Sequence, residues 1–237
     1  MKRGSRRQRS ARELLGSQPS FSLERAVALL EQMPKARFDE TVELSLRLGV
    51  DPKLSEQMVR GTVRLPHGSG RKIRVIAFTE SPEEALKAGA EVAGLEELIQ
   101  RVQEGWMDFD VAVATPSAMK QVRTVARVLG PRGLMPNPKS GTVADDLAPV
   151  IQDLKAGRVE FKMDKTANIA VVVGKRSLSK EHLLNNVRAA VESVGHARPD
   201  AFRGRFIRSV TLSSTMSPGI RLDAQEYLGT ESNQSTS

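Results

Sequence analysis

The stretch RKIRVIAFTESPEEALKAGA, residues 71–90, decides the fold. Ile73 to Phe78 reads as an apolar strand. Ser81, Pro82, Glu83 and Glu84 then form a capping box with proline at the first helical position, which opens a helix to about Ala90. The same order repeats downstream. Glu91 to Ala93 reads as a short strand, Glu96 to Val102 as a helix, Val111 to Ala114 as a buried strand and Ser117 to Leu129 as a helix, with a last helix from Asp145 to Lys155. Alternating strand and helix with short connections predicts a small parallel sheet covered on both faces, a Rossmann-like α/β unit.

On either side of this stretch the pattern is different. Leu23, Ala26, Val27, Leu30 and Met33 recur at helical spacing behind Ser22, a candidate cap. Val42, Leu44, Leu46 and Leu48 alternate with Thr41, Glu43, Ser45 and Arg47, the period of a strand with one buried face. A short helix over Lys53 to Val59 and a strand over Thr62 to Leu65 lead into the turn-rich run from Pro66 to Gly70. After Gly157, Val159 to Met163 and Ile169 to Val173 read as two strands of a hairpin joined by a polar turn. Ser179 to Val194 is helical and Phe206 to Leu212 is a strand. The fold expected is therefore an α+β first domain built from both chain ends, residues 1–67 and 158–228, carrying an inserted α/β Rossmann-like second domain, residues 68–157. A polar tail, residues 229–237, follows. The chain crosses between domains twice, at Pro66, Gly68 and Gly70 and again at Gly157, and these positions are the expected hinge.

Composition narrows the function. The 237 residues include 36 Lys plus Arg against 28 Asp plus Glu, a formal charge of +8, with 39% apolar residues. The excess is localised. Residues 1–67 hold 13 basic and 8 acidic side chains, 68–159 hold 12 of each, and 160–237 hold 11 and 8. Six basic residues, from Lys2 to Arg12, precede the first acid at Glu13, so the opening reads as a solvated basic arm and the global charge by itself says little about nucleic acid. With no Cys, disulfides, thiolate nucleophiles and sulfur-ligated zinc are excluded, which fits a reducing compartment. No stretch approaches the roughly 20 apolar residues that span a bilayer, and the N-terminus lacks the apolar core of a secretory signal, so neither membrane insertion nor export is expected.

Several local features invite a chemical reading. His67-Gly-Ser-Gly-Arg71 offers backbone amides and a guanidinium to a phosphate, yet it precedes a strand rather than following one and lacks the third glycine of a dinucleotide fingerprint, so it reads as a linker. The proline- and glycine-rich segment 130–143 is either a rigid connection or a loop that presents Arg132 and Lys139 to phosphates. Lys162, Asp164, Lys165, Thr166, Lys175 and Arg176 frame the expected hairpin, as a solvated turn or as a phosphate-facing surface. Phe38 beside Arg37 is either core or a stacking surface for a base or ribose. His67, His182 and His196 are scattered, Asp145 and Asp146 suit a helix start, and Trp106 suits packing. No catalytic residue, metal site or cofactor is expected.

Five blocks carry a resemblance. ARFDETVEL from Ala36, VRGTVRLPHGSGRK from Val59, GLMPNPKSGTV from Gly133, FKMDKTANIAVVVGK from Phe161 and SSTM from Ser213 occur in the order found in the bacterial-type ribosomal protein L one family, which the chain resembles over residues 2–223. The resemblance implies a non-enzymatic structural constituent of the large ribosomal subunit with a first domain from both chain ends and a Rossmann-like insert. Its implied partners are the mobile stalk of the large ribosomal RNA, deacylated tRNA moving through the exit site and the protein's own mRNA, whose translation it represses. The implied location is the ribosome in a bacterial cytoplasm. By position, the implied ribosomal RNA contacts are Arg37, Phe38, Thr41, Lys165, Thr166, Ser209, Thr215 and Met216, with Arg132 and Lys139 as secondary contacts.

Charge from Arg37 and Lys165, hydroxyls for phosphate or the ribose 2′-OH, and apolar surface from Phe38 and Met216 suit that role. Four departures stand out. Ser217 replaces the glycine usual after Thr-Met, at a backbone position open to close RNA approach, Ala167 and Ala170 replace the usual Gly and His, and Leu178 replaces a usual Phe. Two alternatives remain at this level: a translational repressor that binds mRNA free of the ribosome, and a nucleotide-dependent enzyme built on the insert, for which the glycine fingerprint is missing.

Overall fold

A computed structural model describes residues 5–200 and 202–223, with Lys139 described by its backbone alone. These residues fall into two compact units: the chain up to Arg71 together with the chain from Val159 onward, and Lys72–Arg158 between them.

The first unit contains helices α1 (Arg6–Leu15) and α2 (Leu23–Gln32), strand β1 (Thr41–Leu48) and strand β2 (Arg60–Arg64). Strands β6 (Arg158–Lys162) and β7 (Asn168–Lys175), helix α8 (Lys180–His196) and strands β8 (Ile207–Ser214) and β9 (Ile220–Leu222) complete it. The main sheet has the order β7-β1-β8-β9 and is antiparallel throughout; β2 and β6 form a separate pair. Val42, Leu44, Leu46 and Leu48 of β1 are buried, as the two-residue period requires. Each contributes about 1.5–3 kcal/mol of apolar burial against α2 and α8. Both helices start where a serine can cap them: Ser22 Oγ accepts from Arg25 N–H and Ser179 Oγ from His182 N–H.

The second unit, between β2 and β6, contains β3 (Val75–Phe78), α3 (Pro82–Lys87), β4 (Val92–Gly94), α4 (Glu96–Gln103), β5 (Val111–Ala114), α5 (Met119–Val122), α6 (Ala126–Leu129) and α7 (Ala148–Lys155). Its sheet is parallel, in the order β4-β3-β5. Successive residues of β3 point to opposite faces: Ile76 and Phe78 join the core under α4, α5 and α6, while Val75 and Ala77 join the one under α3 and α7. The fold is thus α+β from both chain ends with a separate α/β region.

Local details correct the sequence reading. From Arg6 to Leu15 the basic opening is a helix rather than an irregular arm, because Arg is a good helix former and Ala11 gives it a buried foothold in the core, while Lys2 and Arg3 lie outside the described residues. The expected hairpin is not formed: β6 pairs with β2 and β7 pairs with β1 along its whole length. The intervening turn is still closed by Asp164 N–H to Asn168 O at 2.9 Å, but Met163 N–H goes to Val59 O. Ser81 does not cap α3 through its side chain; its amide donates instead to Thr79 Oγ1, 3.1 Å away. The helix expected over 53–59 shrinks to a 3-10 turn, Ser55–Gln57, and that over 117–129 is interrupted by another at Arg123–Val125. The expected polar tail, residues 229–237, lies outside the described residues.

Candidate nucleic-acid interface

The main sheet buries only one face, because α2 and α8 lie on one side. On the other, Glu43, Ser45 and Arg47 of β1 stand opposite Ser213, Thr211 and Ser209 of β8, and Ser45 and Arg47 stand opposite Ala170 and Asn168 of β7. Small hydroxyl side chains dominate this surface, so backbone-sized groups can approach it closely. From Thr41 to Arg47 the strand spans about 20 Å.

At the Arg47 end a depression of about 500 Å³ opens between Arg47, Lys162, Asp164, Asn168 and Ser209. Its rim is the turn 164–168, where Asp164 Oδ1 accepts from the amides of Thr166 at 2.7 Å and Asn168 at 2.8 Å, and Thr166 Oγ1 donates to the same carboxylate at 2.8 Å. These bonds hold the Asp164 carboxyl below the usual carboxylate range, the Asn168 amide having the largest effect. Lys165 and Thr166 are exposed on this turn. Ala167 closes it with φ +59°, a left-handed conformation that strains a residue with a Cβ, so the departure from glycine here has a backbone cost.

At the other end Thr41 N–H donates to Thr215 Oγ1 and Thr215 N–H to Thr41 O, both at 3.0 Å. Lys175 Nζ donates to Thr41 Oγ1 at 2.8 Å and to Asp39 O at 3.3 Å. Phe38 is 55% exposed and Met216 45%, which decides against core roles for both. Arg37 lies beside Phe38 and is itself exposed. Ser217 does not have a positive φ, and its Oγ accepts from Ser214 N–H at 2.8 Å, so the turn carrying Thr215 and Met216 forms without glycine.

The structure thus groups Arg37, Phe38, Thr41, Thr215 and Met216 at one end of the sheet face and Lys165, Thr166 and Ser209 at the other. Ser45, Arg47, Asn168 and Thr211 between and beside them were not singled out from sequence as contacts, although the alternation around Leu44 and Leu46 already placed Ser45 and Arg47 on the wet face. Arg176 belongs neither to a solvated turn nor to a phosphate-facing surface: its side chain is only 4% exposed and pairs with buried Glu40.

In the second unit Arg132 is exposed in the 3-10 turn Gly130–Arg132, and the side chain of Lys139 lies outside the described residues. The loop around them is pinned by Asn137 N–H to Thr142 Oγ1 at 2.8 Å and by a bridge from Val143 to Ala114. At the positions expected to form the hinge, Gly68, Gly70 and Gly157 have φ of +65°, +69° and +109°. Asn186, fully buried on α8, accepts from His67 N–H at 3.1 Å and donates to Gly68 O at 2.9 Å, which ties the segment starting at Pro66 into the first unit. His67 and His182, remote in sequence, stack with ring centroids 3.9 Å apart. No group of three or more metal-ligating side chains occurs among the described residues.

Residues 29–218 match the family described as ribosomal protein L1p/L10e. The large ribosomal subunit protein uL1 of Kosmotoga olearia is 47% identical over 230 residues, covering 96% of this chain and 100% of the relative. Those of Cutibacterium acnes and Protochlamydia amoebophila are 48% and 45% identical, covering 94% and 95% of this chain and 97% of each relative.

Proposed function

The chain belongs to the ribosomal protein L1p/L10e family, and from that premise we propose how its sheet face works. It is an RNA-binding component of the large ribosomal subunit, acts in translation in the cytoplasm and is not an enzyme. Its direct partner is the mobile stalk of the large ribosomal RNA, gripped by the helix-free face of the first unit. The observation that carries this reading is the pairing of exposed Phe38 and Met216 at one end of a hydroxyl-lined strip with the basic turn at Lys165 at the other. Apolar and aromatic surface packs on sugars and bases, hydroxyls reach the 2′-OH and phosphate oxygens, and Arg37, Arg47, Lys162 and Lys165 supply charge; that combination suits folded RNA.

Exit-site tRNA and the protein's own mRNA are the further partners, the mRNA because a transcript that mimics the stalk would present the same groups to the same face. Arg132 and Lys139 serve as secondary contacts, and Pro66, Gly68, Gly70 and Gly157 as the hinge.

The test is binding of the purified chain to a labelled stalk RNA over a salt series, beside an unrelated duplex of equal length and a nicotinamide dinucleotide. Stalk-selective binding that weakens with salt is expected, its slope reporting the phosphates contacted. Equal affinity for both RNAs would overturn the residue assignment, and dinucleotide binding without stalk preference would overturn the function. For the hinge, small-angle scattering that shows one unchanged rigid shape with and without RNA would overturn it.

A further inference from the structure

Glu40 is 1% exposed, two residues from a phenylalanine that is 55% exposed. Its Oε1 accepts from Ala36 N–H at 2.7 Å and faces Arg176 Nη1 at 3.4 Å. Its Oε2 accepts from Ser214 Oγ and from Met216 N–H, the latter at 3.4 Å. One carboxylate therefore joins the loop that carries Arg37 and Phe38 to the turn that carries Thr215 and Met216. Burial acts to raise the carboxyl's pKa, but the Ser214 hydroxyl, the two amides and Arg176 outweigh it and hold Glu40 ionised. Arg176 is anchored in turn to the C-terminal end of α2, donating through Nη2 to Leu30 O at 2.5 Å and to Met33 O, and through Nη1 to Pro34 O at 3.4 Å.

A buried ion pair is weak evidence for stability, since apolar residues of similar volume often do as well. What this pair does that apolar packing cannot is fix the spacing of two surface loops from far apart in sequence. We infer that Glu40, held by Arg176, is a positioning residue that presets the Phe38 loop and the Thr215–Met216 turn at one common geometry for RNA. The inference rests on the RNA-binding reading above. Loops already held in the bound arrangement lose less freedom on association, so the pair acts on affinity without touching the ligand.

The test uses the full chain and the labelled stalk RNA, comparing Glu40→Gln in the wild-type background and in a background with both tips truncated, Phe38→Ala with Met216→Ala. Glu40→Gln is expected to weaken binding about tenfold in the first background and less than about twofold in the second, while lowering the melting temperature equally in both. Arg176→Met is expected to show the same dependence on background. An equal loss of affinity in both backgrounds, or a lowered melting temperature with unchanged affinity, would overturn the inference and leave Glu40 a structural residue. If Glu40→Gln does not fold, Ser214→Ala, which removes one donor to the carboxylate, carries the same comparison. Failure of the RNA reading is distinguishable, because the unsubstituted protein would then fail to prefer the stalk over the unrelated duplex.

Discussion

Thr41 and Thr215, 174 positions apart, close a ring in which each amide donates to an oxygen of the other residue at 3.0 Å. The ring joins the start of β1 to the turn after β8, and its outer surface is part of the proposed RNA contact. Thr215→Ala removes the acceptor for Thr41 N–H at a solvent-accessible site, so we expect a stability loss of about 0.5–1.5 kcal/mol and a clear fall in stalk RNA affinity. Thr215→Ser keeps the acceptor and should restore both, as read by thermal melting and RNA titration.

Phe38→Ala separates binding from folding more sharply. More than half of the residue is already in water, so little burial is lost and the melting temperature should move by no more than about 2 °C. RNA affinity should fall about tenfold. An equal fall in stability would return Phe38 to the core.

Ala167→Gly should stabilise the protein. The left-handed conformation at φ +59° costs an L-residue about 1–2 kcal/mol, and glycine gives back part of that gain through its freer unfolded chain. The Ala167 methyl is itself buried and its loss costs a further amount of about 0.8 kcal/mol, so a net rise of no more than about 0.5 kcal/mol in denaturant unfolding is expected.

Glu40 and Asp164 both have lowered pKa values in the folded state. Each therefore contributes stability that is present above its unfolded pKa, near 4.5 for Glu40 and 3.8 for Asp164, and is lost as pH falls through the lower folded value. Unfolding measured from pH 6 downward should show stability falling below about pH 4.5. Glu40→Gln should flatten that slope, and a variant as steep as the wild type would contradict the assignment.

Asn186→Ala strips two donor bonds and one acceptor from a fully buried site, leaving His67 N–H and the carbonyls of Gly68 and Val173 without their partner. Such losses cost about 1–3 kcal/mol per buried group, so a strong drop in stability is expected. Hydrogen exchange should show the amide of His67 losing protection first.

Sequence by itself determined the elements whose cause is local. The alternation from Thr41 to Leu48, the serine caps at Ser22 and Ser179, the apolar runs at Val75 to Phe78 and Val111 to Ala114, and the family blocks around Phe38, Lys165 and Thr215 are all read over a few neighbouring residues. Tertiary structure alone decided which strands pair and which charges are buried. Whether β7 joins β6 or β1 depends on the surface each partner offers across more than a hundred residues. Glu40 and Arg176 look like any exposed charges until α2, β7 and the turn after β8 close around them. A strand period or a cap is the outcome of steric and hydrogen-bonding rules within one turn of chain. Partner choice and the ionisation of a buried carboxylate are set by groups that only folding brings within 4 Å.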